Sequence, residues 1–308
     1  MSLTKFPQGV SSFGVPVIGS AGQIPPSKGT YYFVDSVNGS NGNDGLSFDK
    51  AFATVVYAIT KTVVSNGDVI VMAPYHVETI SAAGGWTPLA GTAIVGCGWG
   101  SARPLIKFSA TTSTILCSAA NLLFSNFVVQ ASISEVVTLF SVSAADVVIN
   151  SVDFVEHASN YTCISFLTST AAANRLVIAN CKHTNTTAPA GTAAWISLVG
   201  GDSISILNNW ILLARPNNAA ACPLGVITTA STMITIQGNL FGSLTSNTNN
   251  MACSLFAGST GMVADNRGVT LGKTAIAGAF ALASAFGFNN YTCKNANKCG
   301  LLDPVVDA

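Results

Sequence analysis

The sequence predicts an all-β protein, a single-stranded right-handed parallel β-helix, and three observations carry that expectation. First, six segments share an apolar residue, two variable positions and often Asn. They are LFSN (123–126), INSV (149–152), IANC (178–181), ILNN (206–209), IQGN (236–239) and VADN (263–266), recurring every 26 to 30 residues. Ile94 and Ile70 extend the series backwards. Second, a further series advances in step between them: ILC (115–117), VTLFSV (137–142), CISFL (163–167), WISLV (195–199), LGVIT (224–228) and CSLFA (253–257). Two short β-rich strands per repeat fit solenoid rungs, each burying its apolar face only against its neighbours. Third, Asn, Gly, Ser and Thr fill the gaps between strands, whereas a β-sandwich needs hairpin signals at much closer spacing. Recurring Asn at the corners predicts hydrogen-bonded ladders along the column.

Taken in chain order, the sequence divides into four parts. Residues 1–30 form an extended anchoring arm, which prolines keep from being a helix or a central strand. Phe6, Val10, Phe13, Val15, Val17 and Ile18 are its candidate contacts on another chain; the alternative is an arm folded back along its own column. Residues 31–67 hold an opening strand, a turn and a capping helix over Phe48 to Val64. That helix would place Phe52, Val55, Val56, Ile59 and Val63 on one face, with Ser47 as N-cap and Asp49 in the first turn. A lid there protects an end that would otherwise expose unpaired strand edges. Residues 68–272 are the β-helix. Residues 273–308 are a tail for oligomerisation or packing. In TAIAGAFALASAFGF (274–288) Ala takes the odd positions from 275 to 285, and Ile276, Phe280, Leu282, Phe286 and Phe288 take the even ones. A period of two favours a strand with one small-residue face, so Phe280, Leu282, Phe286 and Phe288 are candidate assembly contacts.

Composition removes several function classes. Charged residues are only 8% of the chain and the formal net charge is zero, which leaves no electrostatic footprint for nucleic acid. No apolar run is long enough to span a membrane, and the opening residues lack the apolar core of a secretory signal. A surface poor in charge lacks the repulsion that keeps monomers apart, which points to permanent assembly. Of the eight cysteines, Cys97, Cys117, Cys163, Cys181, Cys222 and Cys253 stand singly among apolar residues and read as small core hydrophobes. Cys117, Cys163 and Cys253 are expected in one stack. Cys293 and Cys299, in YTCKNANKCG, are close enough for a local disulfide, and no zinc set accompanies them.

Candidate chemistry is sparse. The turn NGSNGNDG (38–45) invites a calcium reading, but setting Gly45 at the invariant glycine of an EF-hand puts Gly42 and Ala51 where oxygen ligands are required. VDFVEHAS supplies the densest polar group, and Asp153, Glu156 and His157 are the candidate catalytic residues; strand alternation puts Asp153 and His157 on one face. His76 and Glu78 fall on the first rung beside the lid. His183 is expected at the surface, Trp195 in the core, and Asp265 with Arg267 as a pair across a corner. Glycoside cleavage needs two carboxyls held together, and 13 acids spread along the chain give no such pair by spacing. The expectation is a protein that is not an enzyme and carries no cofactor or metal.

YYFVDSVNGSNGNDGLSFDKAFATVVYAI, followed by GDVIVMAPYHVETI, resembles the opening segment of right-handed parallel β-helix proteins of the pectin-lyase-like superfamily. The likeness covers residues 31 to 80 and departs at Ala73-Pro74, where the superfamily has Pro-Gly before the Tyr. It implies architecture and not activity, since enzymes, adhesins and virion proteins share it. FPQGVSSFGVPVIGSAGQIPP (6–26) resembles the short leaders of tailed-phage virion proteins. Together these resemblances imply a homotrimeric capsid-decoration or head-fibre protein on the capsid exterior. Its N-terminal arm would hold it to the major capsid protein or another virion protein, with no nucleic-acid or membrane partner. The alternative is a tail spike or receptor-binding adhesin that recognises host surface glycan, with or without depolymerase activity. A secreted carbohydrate-active enzyme is a third class.

Overall fold

A computed structural model describes residues 11–12, 15–16, 24–216, 218, 220–245, 251–270, 279–295 and 298–301; side chains are described for 24–216, 218, 220–245, 251–270 and 279–292. Between residues 31 and 295 the strands are short, pair in parallel and wind through three sheets in turn. Sheet 1 starts with Tyr31–Val34, Val69–Met72 and Ala93–Gly96 and ends with Gly261–Ala264 and Phe286–Phe288. Sheet 2 runs from Val77–Ile80 and Leu105–Phe108 through Lys182–Asn185, Trp210–Leu213, Leu240–Ser243 and Arg267–Thr270 to Tyr291–Asn295. Sheet 3 stacks Ile115–Cys117, Glu135–Val142, Thr162–Ser169, Ile196–Leu198, Leu224–Val226, Cys253–Ser254 and Phe280–Ala281. Two long strands, Leu122–Ala131 and Val147–Val155, bend through the corner and belong to sheets 1 and 2 at once. This is a parallel β-solenoid, as the repeats predict.

The first sequence series is the core column of sheet 1. Ile70, Ile94, Phe124, Ile149, Ile178, Ile206, Ile236 and Val263 are in register, and every one is fully buried. The register places Phe124 opposite Ile149, so LFSN aligns one residue later than the other segments. The second series is sheet 3. Each rung also carries a third strand, that of sheet 2, which the two-series reading lacks.

Corners between sheets 1 and 2 place one residue per rung in the left-handed region: Asn126, Ser151, Asn180, Asn208, Gly238, Asp265 and Asn289, with φ from 52° to 68°. Asn and Gly tolerate that conformation best, which explains their recurrence. One position further, Asn209, Asn239, Asn266 and Asn290 are buried in a ladder. The Nδ2 groups of Asn209, Asn239 and Asn266 donate to the next Oδ1 at 3.0, 2.9 and 3.0 Å. Those three also donate to the Ile178, Ile206 and Ile236 carbonyls, and each Oδ1 accepts the backbone N–H of the rung before. The predicted ladder is present.

Several expectations are corrected. The capping helix is shorter than predicted: a 3-10 turn over Phe48–Lys50, then an α-helix, α1, over Val55–Ile59 capped by Thr54. Between them Phe52 is drawn into a parallel bridge with Val34, which holds its backbone extended. Phe52, Val55 and Ile59 are buried, whereas Val56 and Val63 are exposed. The turn before it is architecture: Asn41 Oδ1 accepts Ala53 and Thr54 N–H, and Asn43 Nδ2 donates to the Ala51 carbonyl. The tail is not one strand either. Phe280–Ala281 belongs to sheet 3 and Phe286–Phe288 to sheet 1, separated by a turn with Ala283 at φ 54°. Phe280 and Leu282 therefore point into the core, and only Phe286 (71% exposed) and Phe288 (46%) remain available for assembly. The three cysteines expected to stack fall in different columns: Cys117 with Val142, Cys163 with Val136, and Cys253 with Leu224.

The last strand of sheet 2 turns back antiparallel into Lys298–Leu301, setting Cys293 opposite Cys299. The side chains of both lie outside the described residues, and with them the expected disulfide. The other end of the column is covered by α1. There the Glu78 carboxylate accepts Val55 N–H at 2.6 Å, Val56 N–H at 3.3 Å and Trp86 Nε1–H at 3.1 Å. His76 meets Glu78 through Nε2 at 3.2 Å and accepts Ser36 N–H at Nδ1. At the end of the arm nearest the column, Ile24 packs against the cluster of Val69, Val71, Ala93, Val95 and Cys97, and Ser27 Oγ–H donates to the Gly67 carbonyl. Residues 24–30 thus rest on their own column. Of the predicted arm contacts, Val15 lies in a two-residue antiparallel pair with Ser12. Phe6, Val10, Phe13, Val17 and Ile18 lie outside the described residues.

Candidate functional site

Strand alternation on sheet 2 sends His183, Ile211 and Phe241 inward and a different column outward. Register aligns that outer column as Leu105, Val128, Asp153, Lys182, Trp210, Leu240, Arg267 and Tyr291. Because Phe154 pairs with His183, Asp153 and Lys182 are neighbours, and Lys182 N–H donates to Asp153 Oδ1 at 2.7 Å. The other Asp153 oxygen is 2.6 Å from Arg103 Nη1. Lys182 Nζ lies 5.8 Å from the centre of the Trp210 ring. Trp210 and Tyr291 are each about half exposed, at 49%, and Lys182 and Arg267 are exposed.

Along this column the order is Lys182, Trp210, the part-buried Leu240, Arg267 and Tyr291, so two cation–aromatic pairs are separated by one apolar rung, and the Asp153 carboxylate is already engaged. An aromatic face accepts the C–H side of a sugar ring, and adjacent cations suit carboxylate or sulfate substituents. The sequence series omitted this strand, yet the signal was there: KHTN (182–185), WILL (210–213), LFGS (240–243) and RGVT (267–270) recur at the same period as the other two.

Asp153, Glu156 and His157 do not converge on a common point. The strand ends at Val155, so His157 sits in the following loop, with its ring stacked on Tyr161 at 5.0 Å and its Nδ1 accepting Ser159 N–H. Glu156 Oε2 accepts from Thr186 N–H and Oγ1–H, and Oε1 from Thr187 N–H. Burial pushes the Glu156 carboxyl up, but the Thr186 and Thr187 bonds outweigh it and hold it below its ordinary value.

His183, expected at the surface, is fully buried. Trp195 Nε1–H donates to its Nδ1 at 2.7 Å, and its Nε2 lies 3.0 Å from the Val152 carbonyl. Burial lowers its pKa to about 4, so the ring is neutral near pH 7 and serves packing. Trp195 is in the core, as expected. Asp265 does not pair with Arg267; its oxygens take Gln237 Nε2–H and Asn289 Nδ2–H. The six described cysteines are free and buried, and burial lifts their thiols, Cys97 to about 11 and Cys181 to about 12, away from thiolate chemistry. Among the described residues no group of three His, Cys, Asp or Glu is placed to hold a metal ion.

No family model matches the chain, and no curated protein matches it. Among solved structures it is similar to a rhamnogalacturonan lyase, with 14% identity and a TM-score of 0.41, over 79% of this chain and 69% of that one. The expectation of a protein that is not an enzyme is withdrawn beside that neighbour, whose name is that of a lyase. At this TM-score the likeness itself carries no argument about activity here. What stands is the solenoid fold, read from its own strand pairing.

Proposed function

We propose that the protein is a glycan-recognition protein, a receptor-binding adhesin of the tail-spike kind, that grips surface polysaccharide along the outer face of sheet 2. The observation that carries this reading is the aligned column of Lys182, Trp210, Arg267 and Tyr291, two half-exposed aromatics interleaved with two exposed cations on a rigid rung stack. Solenoid rungs follow one another at about 4.8 Å, which fixes Lys182 beside Trp210 and Arg267 beside Tyr291 with the Leu240 rung between the two pairs, so little ordering is left to be done on binding. A phage particle as the setting rests on the leader sequence and is part of the same proposal.

A glycan array probed with the purified chain tests the reading, followed by a depolymerisation assay on each glycan bound, so that binding and cleavage are scored separately. Trp210→Ala is expected to weaken binding roughly tenfold, the loss of about 1.4 kcal/mol from one aromatic platform. Binding that survives the simultaneous loss of Trp210 and Tyr291 would refute this placement.

A further inference from the structure

Trp99 is 86% exposed, far more than a tryptophan without a partner is expected to be. Its turn is held firmly. Asn126 Nδ2 donates to the carbonyls of Gly96 and Gly98 at 2.8 and 3.0 Å, Ala102 N–H returns to the Trp99 carbonyl, and Tyr75 N–H binds the Ala102 carbonyl. The backbone also leaves no slack. A Cβ on Gly96 would stand 2.2 Å from the Asn126 carbonyl oxygen, and one on Gly98 would stand 2.6 Å from that of Ala102. Tyr75, tied to the same turn, is 64% exposed. Folding gains nothing from holding two aromatic rings out in water on a rigid support.

The turn is continuous with the ligand face. Arg103, four residues beyond Trp99, reaches across two rungs to Asp153 Oδ2, and Asp153 Oδ1 accepts the Lys182 N–H. From Leu105, where this turn feeds sheet 2, to Trp210 the column climbs four rungs, about 19 Å at the usual strand spacing. The charges not consumed within the face are positive, Lys182 and Arg267 exposed and Lys107 partly so.

Resting on the glycan reading above, we infer that Trp99 forms a distal subsite of the same face, and that the ligand is an acidic oligosaccharide lying parallel to the solenoid axis and long enough to span from Trp99 to Trp210. A fragment shorter than that span reaches Trp210 and the cations but not Trp99.

Affinity is measured for acidic and neutral oligosaccharides graded in length, uronate oligomers and maltooligosaccharides among them, using wild type, Trp99→Ala and Trp210→Ala. Trp99→Ala is expected to lower affinity for long acidic oligomers roughly tenfold and to leave short ones unchanged, while Trp210→Ala weakens both. An unchanged melting temperature in Trp99→Ala, whose ring packs on little, separates lost binding from lost folding. Equal binding of long oligomers by wild type and Trp99→Ala, with Trp210→Ala impaired, overturns this inference and leaves the glycan reading intact. Preference for neutral chains overturns the acidic assignment, and failure of the wild type to bind any glycan overturns both.

Discussion

Asn239 shows how single residues hold this column. Its Oδ1 accepts two N–H groups from Asn209, and its Nδ2 donates to Asn266 Oδ1 and to the Ile206 carbonyl. No water can replace these partners in a buried corner, so deletion leaves several donors and acceptors unpaired on two adjacent rungs. Asn239→Ala is expected to cost about 3 kcal/mol, read by denaturant melts, and a cost within error of zero would remove the ladder from the stability account. The Asn signal was legible in the sequence. Its division of labour was not, because the Asn at 208 turns the backbone at φ 54° while the Asn at 209 forms the ladder, and only the backbone conformation separates them. For the same reason His183 was misplaced: KHTN reads as polar, but alternation turns His183 inward to Trp195.

At the scale of elements, the loop after Lys182–Asn185 is pinned at both ends by carboxylates from earlier rungs. Glu156 holds Thr186 and Thr187, Glu135 accepts Ala190 N–H at 2.6 Å, and Pro189 between them is buried. The Glu156 carboxyl sits below its unfolded value, so its contribution is complete above that value and is lost as pH falls through the lower folded one. Arg215, near Glu135, keeps its charge throughout, with burial lowering it only to about 10, and His157 follows Glu156 directly in the chain. Acidification is therefore expected to free the Thr186 end of the loop. In an amide chemical-shift titration Thr186 and Thr187 should move upfield at the folded Glu156 midpoint. Glu156→Gln should abolish that step and cost about 1 kcal/mol, since the group is largely solvated. A step that persists in Glu156→Gln would assign it elsewhere. The capping helix teaches a related lesson. Its apolar period was real, but the bridge between Val34 and Phe52 and the Glu78 carboxylate at Val55 set where helix can begin, and both partners are distant in sequence.

At the scale of the molecule, Phe286 and Phe288 stand exposed on the last rung of sheet 1, and the homotrimer that the sequence resemblances imply would place them in the contact between subunits. Sedimentation of the wild type and of Phe286→Ser with Phe288→Ser tests that expectation: a monomeric wild type removes it, and a wild-type trimer whose mass the two substitutions leave unchanged excludes these two residues. Periodicity along the chain is enough to show that it stacks rungs, where Asn corners recur, and which residues line the core column of sheet 1 except at Phe124, for which the segment pattern pointed to Leu123. Those features follow from local periodicity, which every rung repeats. Only the tertiary fold makes each rung three-sided and divides Phe280 to Phe288 between two sheets around Ala283. It alone aligned Lys182, Trp210 and Arg267 in one outward column. Register between rungs does this work: it joins residues about a rung apart in sequence at one strand spacing in space, and no local pattern encodes which outward side chains become neighbours.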